Sequence, residues 1–283
     1  MPDISPYISA LISSTISLIG CTFILYVYFK YKELQGPAYK LISILVSFDI
    51  LHCITFMVPT YTEKSGSTLC ICQAFTITSV TLASILWTSV ISFFLYLTVV
   101  KKKSCEIYIN KAFITCDILC VIASFIPLAT TDIKDYAHNE GWCWIKNEGI
   151  RLLVLYIPLW MVVVFNTVIY MIVIKHIRIE STLHPELYCI GQSMIRKLKM
   201  YPIILIVSFL PSTSLRVLQF FSNEPHENFV IVASVFICLH GFFNSIVYGL
   251  TKNVRSTLLG QSAYSSKYSD YSSSDQGISL FSS

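Results

Sequence analysis

Arg216 is the residue whose position most clearly suggests binding chemistry, because it is the one charged residue in the apolar stretch 200–223. Thr213 and Gln219 lie three residues to either side of it, so in a helix all three side chains share one face. A guanidinium offers N–H donors in a planar fork that matches an anionic group. The spacing predicts a polar helix face that could bind an anionic ligand. The alternative is an arginine that pairs with a loop acid or extends to lipid headgroups.

A second candidate is Asp49, the one charged residue of the stretch 41–62. It lies nine residues beyond Lys40, which in a helix is about 14 Å and therefore near the middle of a bilayer. His52 and Cys53 follow three and four residues later, on the same helix face. Ionisable groups at such depth face a bundle interior. Asp49 is therefore either an ion or proton site that responds to activation, or a structural acid hydrogen-bonded to neighbouring helices.

Two sets of residues suggest a moving part. Pro202 and Pro211 occur within one apolar stretch and should each kink a helix, which lets one end of the helix swing. Asn244 and Tyr248 belong to a stripe of small and polar residues on one face of the next stretch, a pattern typical of close helix packing. With Asp49, these four residues are the predicted activation switch.

These side chains need apolar elements to position them, and the composition supplies such elements. The chain has 283 residues, of which 54% are hydrophobic and 13% charged. Soluble domains carry about 25% charged residues, so a soluble protein is excluded. Seven nearly uncharged runs are each long enough for one membrane-crossing helix of about 20 residues. The sequence predicts an all-α membrane protein in one domain, residues 1–259, whose partner is the lipid bilayer and not nucleic acid. The spans are expected near 7–29, 41–61, 70–100, 111–130, 150–175, 198–221 and 229–250.

The distribution of Lys and Arg predicts the orientation. If the N-terminus is outside, 15 basic residues lie in inner segments, which satisfies the positive-inside rule. Four lie in outer segments: Lys64, Lys134, Lys146 and Arg151. The prediction is a multi-pass protein of the plasma membrane with a cytoplasmic C-terminus. After the seventh span, residues 252–259 suit a short amphipathic helix on the membrane surface; a frayed end of the seventh helix is the alternative. Residues 260–283 form a Ser-rich stretch that we expect to be disordered.

Cysteine placement suggests a covalent link on the outer side. Cys70, Cys72 and Cys143 are the cysteines on that side, and a bridge from the third span to the loop containing Cys143 would hold this loop over the bundle. Counting alone does not decide whether Cys70 or Cys72 is the partner. No zinc-type spacing and no catalytic motif of a membrane hydrolase occurs, so no metal, cofactor or enzymatic activity is expected.

Several short motifs occur in an order that resembles one family. These are SFDIL at 47–51, CICQAF at 70–75, WCWI at 142–145, the proline pair followed by Arg216, and NSIVYG at 244–249. The chain resembles the cyclic-AMP-receptor-like family of G-protein-coupled receptors over nearly all of residues 8–259. Two departures stand out. The third span ends in TVVKKK, without Asp-Arg-Tyr, and Ser208, Phe209 and Leu210 stand where the family has a Trp before the second proline.

The resemblance implies a receptor that converts binding of an extracellular small ligand into activation of a heterotrimeric G protein. It favours Cys70 as the partner of Cys143. The expected ligand contacts are Arg216, Gln219, Thr213, Trp142 and Trp144. The expected G-protein contacts are Lys101, Lys102, Lys103, Arg196 and Lys197, although the positive-inside rule also explains these basic residues. The alternatives are a small membrane transporter, for which no internal repeat is seen, and a non-signalling receptor homologue.

Overall fold

A computed structural model describes residues 4–103, 106–138, 141–183, 188–221, 227–249 and 254. Within these ranges, it does not describe the side chains of residues 33, 106, 138, 183, 188–199 and 227. The predicted tail, 260–283, lies outside the described residues. So does the predicted amphipathic helix except for Val254, which is buried beside Val27 and Leu34.

The described chain is a helical bundle with one small β-hairpin. A π-helix, Leu152–Tyr156, connects a short helix after the hairpin to the long helix that follows, and the two strands pair antiparallel with Ala137 opposite Trp144. In chain order the elements are α1 (Ser5–Lys30), α2 (Pro37–Met57), α3 (Thr68–Val99), α4 (Ile109–Thr130), β1 (Tyr136–His138), β2 (Cys143–Ile145), α5 (Glu148–Arg151), α6 (Ile157–Leu183), α7 (Tyr188–Phe221), α8 (Glu227–Cys238) and α9 (His240–Gly249).

Seven of the described helical segments are long and apolar enough to cross a membrane, which confirms the predicted seven-transmembrane bundle. The π-helix makes α5 and α6 one continuous span, Glu148–Thr182, while α8 and α9 together form the seventh span, Asn228–Gly249. The molecule is a multi-pass membrane protein.

Some boundaries differ from those expected. The second span ends at Met57 instead of residue 61, because Val58 is extended and precedes Pro59, and a residue before proline disfavours the helical conformation. Helix α7, which contains the sixth span, begins at Tyr188, ten residues before the expected start of that span. The helix continues through polar residues that precede its apolar part, Met200–Phe221.

The third span is the centre of the bundle. Helix α3 packs against α2, α4, α6 and strand β2. Trp87 of α3 is fully buried and its indole N–H donates to the carbonyl of Leu41 in α2 at 2.8 Å. Asn166 of α6 is bound to α3 twice: its amide donates to Thr88 at 2.9 Å, and its carbonyl oxygen accepts from Ser92 at 2.7 Å. These bonds fix the position of α3 relative to α2 and α6.

Candidate functional site

A covalent link fixes the β-hairpin over one end of the bundle, here called the disulfide end. Cys143 of β2 is bonded to Cys70 at the start of α3, with 2.03 Å between the sulfur atoms, so the pairing implied by the resemblance is present. Cys72 is a free, exposed thiol. Burial raises the pKa of the Tyr136 phenol in β1 above its ordinary value, so this side chain stays neutral. The residues of β2 are all buried, which makes the strand a lid on the bundle.

Gln73, one helical turn after Cys70, holds the same lid by hydrogen bonds. Its side-chain amide donates to the carbonyls of Thr55 and Val58, at 3.0 and 3.1 Å, and so caps the end of α2. Its side-chain carbonyl accepts from the backbone N–H of Cys143 at 2.8 Å and from the hydroxyl of Thr60. The site prediction did not include Gln73. Its place in the CICQAF motif was the available signal.

Trp142 and Trp144 flank Cys143 and point into the bundle, where both are buried. The Trp142 ring meets the ring of Phe56 edge to face, with centroids 5.0 Å apart. The indole N–H of Trp144 donates to the hydroxyl of Thr78 in α3 at 3.2 Å. Both tryptophans therefore have fixed positions and form an aromatic wall below the lid.

Two guanidinium groups lie over the Trp144 ring. The carbon atom at the centre of the Arg216 guanidinium is 5.2 Å from the ring centroid, and that of Arg151 is 5.0 Å from it, both within cation–π range. Each arginine side chain is almost fully buried, and Arg151 also donates to the carbonyl of Ile145 in β2. Reasoning from the sequence counted Arg151 as an outer-loop cation. Its position just after WCWI and before a long apolar run was the signal that could have found it.

A carboxylate and an amide complete this group of polar side chains. One oxygen of Glu148 lies 2.9 Å from Nη1 of Arg151, and its other oxygen lies 4.0 Å from Nη1 of Arg216. The carbonyl oxygen of the Gln219 side chain accepts from Arg216 at 2.6 Å. We call the set Glu148, Arg151, Arg216 and Trp144 the arginine cluster.

Two members of the arginine cluster, Arg216 and Trp144, line a small cavity. Among the predicted ligand contacts, Arg216, Trp142 and Trp144 line it. Thr213 and Gln219 do not line it: the Thr213 hydroxyl accepts from the indole N–H of Trp160 at 3.2 Å, and the Gln219 side chain accepts from Arg216. With a volume of about 10 Å³, the cavity has room for about one water molecule. The rest of the wall is mostly apolar, with Ile77, Leu155, Leu215 and Ile237 among its residues, and it also includes Thr81, Ser212 and Ser234.

A polar network lies deeper in the bundle, around Asp49. Its carboxylate accepts from the hydroxyl of Ser84 in α3 at 2.7 Å and from the amide of Asn244 in α9 at 2.9 Å. Asp49 is 2% exposed. His52, one turn further along α2, is buried with its ring 4.7 Å from that of Phe56. Two of the five predicted switch residues, Asp49 and Asn244, thus make a direct bond.

His240 extends this network to α7. Its Nε2 lies 3.2 Å from the Asn244 amide, which can only donate, so Nε2 is the acceptor. The proton of the neutral ring is then on Nδ1, which faces the hydroxyl of Ser208 at 3.2 Å. The His240 ring also packs on Phe209, with centroids 5.1 Å apart. Helix α9 begins at His240, so the network joins α2, α3 and α7 at the interruption between α8 and α9.

Pro202 and Pro211 both lie inside α7, in a helix that continues past each of them. A proline has no N–H, so each leaves a carbonyl of the preceding turn without its helical donor. Ser212, beside Pro211, shares a 2.6 Å hydrogen bond with the hydroxyl of Tyr156 at the end of the π-helix. The proline-weakened part of α7 is therefore tied to the irregular part of the fifth span.

Tyr248 lies near the other end of the bundle, within a stack of tyrosines. The ring of Tyr201, which precedes Pro202, packs between Tyr170 of α6 and Tyr248 of α9, with centroid distances of 5.8 and 5.4 Å. A second small cavity is lined by these three rings and by Asn244. The stack connects α6, α7 and α9.

The predicted G-protein contacts lie beyond this stack, at what we call the lysine end. Lys101, Lys102 and Lys103 are exposed after α3, and the Lys102 ammonium lies 3.5 Å from Glu180 of α6. Arg196 and Lys197 lie in α7, and their side chains are outside the described residues.

Comparison with known proteins identifies the family. Residues 3–263 match the sequence model of the family described as slime mold cyclic AMP receptor. The chain is 28% identical over 273 residues to G-protein coupled receptor 1 of Arabidopsis thaliana, a match that covers 86% of this chain and 77% of that protein. It is 27% identical over 247 residues to Cyclic AMP receptor-like protein A of Dictyostelium discoideum, with 85% and 63% covered. It is 25% identical over 249 residues to Cyclic AMP receptor 2 of the same organism, with 84% and 64% covered.

The chain therefore covers less than two thirds of the length of these two Dictyostelium proteins. The family match, however, includes every helical span and both cysteines of the disulfide. This chain belongs to the slime mold cyclic AMP receptor family.

Proposed function

We propose that the chain is a G-protein-coupled receptor that binds a small anionic ligand at the disulfide end and activates a heterotrimeric G protein at the lysine end. The observation that carries the proposal is the arginine cluster: two buried guanidinium groups lie on one tryptophan ring under a covalently fixed lid, and one of them, that of Arg216, lines a cavity. Guanidinium groups bind carboxylates and phosphates through paired N–H donors, and an enclosed position strengthens such contacts.

The cavity must enlarge to admit a ligand, since its free space corresponds to about one water molecule. Arg216 and the apolar side chains of the wall would have to move apart, and Arg216 belongs to α7. A ligand that bound the enlarged arrangement more tightly than the present one would shift the population towards it. Ligand binding is thereby linked to a displacement of α7.

Helix α7 can transmit that displacement because it contains both prolines. It also takes part in the arginine cluster, the network around Asp49 and the tyrosine stack. Near Arg216 it is bonded to the π-helix through Ser212, and further along it meets His240 through Ser208. Tyr201 then joins it to the tyrosine stack above the lysine end. Movement at the arginine cluster would therefore change the Asp49 network and the stack, and open a cleft at the lysine end for the G protein.

The test is a screen with purified receptor in lipid vesicles and purified heterotrimeric G protein. Nucleotide exchange on the G protein is measured with cyclic AMP, the ligand named for two relatives, and with other nucleotides and small organic anions. We expect at least one anion to accelerate exchange. Absence of exchange above empty vesicles, both without ligand and with every anion, would contradict the proposal.

A further inference from the structure

Glu148 occupies the place in the arginine cluster where an external anion would bind. Its two carboxylate oxygens point to different guanidinium groups, one at 2.9 Å from Nη1 of Arg151 and the other at 4.0 Å from Nη1 of Arg216. A ligand carboxylate or phosphate uses the same kind of contact, with separate oxygens on separate N–H donors.

The two arginines are more deeply buried than the acid. Arg151 and Arg216 are each 1% exposed, both lie on the Trp144 ring, and Arg151 also donates to the Ile145 carbonyl. The Glu148 side chain is 18% exposed and belongs to the first residue of α5. A rotation of this one side chain would place its charge in water, at a helix N-terminus where a negative charge is favourable.

We propose that Glu148 is a built-in occupant of the anion site, and that a ligand binds by displacing this carboxylate from between Arg151 and Arg216. The inference rests on the proposed function, since it takes the arginine cluster as the ligand site. It adds Arg151 as a binding residue and assigns the ligand an oxyanion group. Competition with Glu148 lowers the apparent affinity by the fraction of time that the site is occupied by the chain itself.

The experiment measures thermal unfolding of the purified full chain in an uncharged detergent, with inorganic phosphate as the probe and sodium chloride of equal ionic strength as the reference. Glu148→Gln removes the carboxylate and keeps its size. Without phosphate, this variant should unfold at a lower Tm than the wild type, because two buried cations have lost a counter-ion. Phosphate should then raise its Tm by about 3 °C or more, and that of the wild type much less.

Asp132→Asn is the matched control, because it removes the same charge from an exposed position before β1. It should respond to phosphate as the wild type does. The double variant Glu148→Gln/Arg151→Gln should lose the gain. The inference would be overturned if phosphate stabilised Glu148→Gln no more than it stabilises the control. It would also be overturned if Glu148→Gln unfolded at a lower Tm than the wild type and phosphate did not raise that Tm. Because no G protein is present, these outcomes are independent of whether the receptor drives nucleotide exchange.

Discussion

At the residue scale, Gln73 determines how the lid is attached. One amide group joins the end of α2, the start of α3 and strand β2, and all of its hydrogen bonds are buried or nearly so. A buried polar group that loses its partner costs about 1–3 kcal/mol. The lid is therefore fixed twice, by the disulfide and by this amide one turn away.

Replacing Gln73 with Met should lower stability by about 1–3 kcal/mol and visibly lower Tm. Met fills a similar volume but removes the donor to the carbonyls of Thr55 and Val58, and it leaves the N–H of Cys143 with only the Thr60 hydroxyl at 3.2 Å. Thermal unfolding of the purified protein in detergent measures this effect. Gln35→Met is the control, because Gln35 is exposed and makes one 3.4 Å bond to the carbonyl of Tyr28. Equal Tm values for the two variants would contradict the assignment.

Single residues were predictable from the sequence where they stood out from their surroundings. Arg216 and Asp49 were each the only charge in an apolar stretch, and both are buried in the bundle. Arg151 and Glu148 stand among other polar residues at a helix start, where a charge in the sequence gives no indication of burial. The contact between Asp49 and Asn244 joins residues 195 positions apart, which no local pattern could reveal.

At the element scale, close packing of α9 on α1 and α2 places Asn244 within reach of Asp49. Gly241 permits this approach. A Cβ atom at this position would lie 2.7 Å from Oγ of Ser17, 2.8 Å from Sγ of Cys21 and 3.0 Å from Cβ of Asp49. The absence of a side chain is therefore a requirement of the helix spacing.

Gly241→Ala should destabilise the protein by about 1–3 kcal/mol in spite of the better helix propensity of Ala, because overpacking pushes α9 away from its neighbours. Gly36→Ala is the control, since a Cβ there meets nothing within 4 Å; because Gly36 is the N-cap of α2 and Ala caps less well, we expect a loss of at most about 1 kcal/mol. Tm of both purified variants measures the difference. If Gly241→Ala is as stable as its control, the helices are not held at this spacing.

The long elements followed from charge-free runs, whereas the irregular ones did not. Length and hydropathy predict a membrane helix because lipid leaves the backbone no other partner than itself. The hairpin of three-residue strands depends instead on Cys70, Gln73 and the bundle beneath it, which are distant in sequence. The π-helix ends two residues before Pro158, which has no N–H to continue a regular helix, and the interruption at Leu239 lies two residues before Gly241; neither feature was predicted from the charge-free runs.

At the scale of the whole molecule, the predicted orientation places the disulfide end outside and the lysine end in the cytoplasm. Ser65 before α3 and Lys101 after it are both exposed and lie at opposite ends of that helix. Each is replaced by Cys in a parent chain in which Cys72, Cys105 and Cys189 are Ser, because these three cysteines are exposed or lie outside the spans and could react with the label. A membrane-impermeant maleimide should label the Ser65→Cys chain in intact cells, and the Lys101→Cys chain only after permeabilisation. The reverse pattern would invert the topology.

In the proposed function, an anion bound at the arginine cluster controls a G protein at the other end of the bundle. Arg216→Met tests this claim, because Met keeps much of the volume and removes the charge. Lys146→Met is the matched control: it removes a cation from an exposed position beside the same hairpin.

The deciding measurement is the rate of nucleotide exchange on a purified heterotrimeric G protein, in vesicles containing equal amounts of wild type, Arg216→Met or Lys146→Met. With the most active anion of the screen, wild type and Lys146→Met should accelerate exchange, and Arg216→Met should stay at its rate without ligand. Full acceleration by Arg216→Met, or rates equal to those of empty vesicles for all three proteins, would contradict the account.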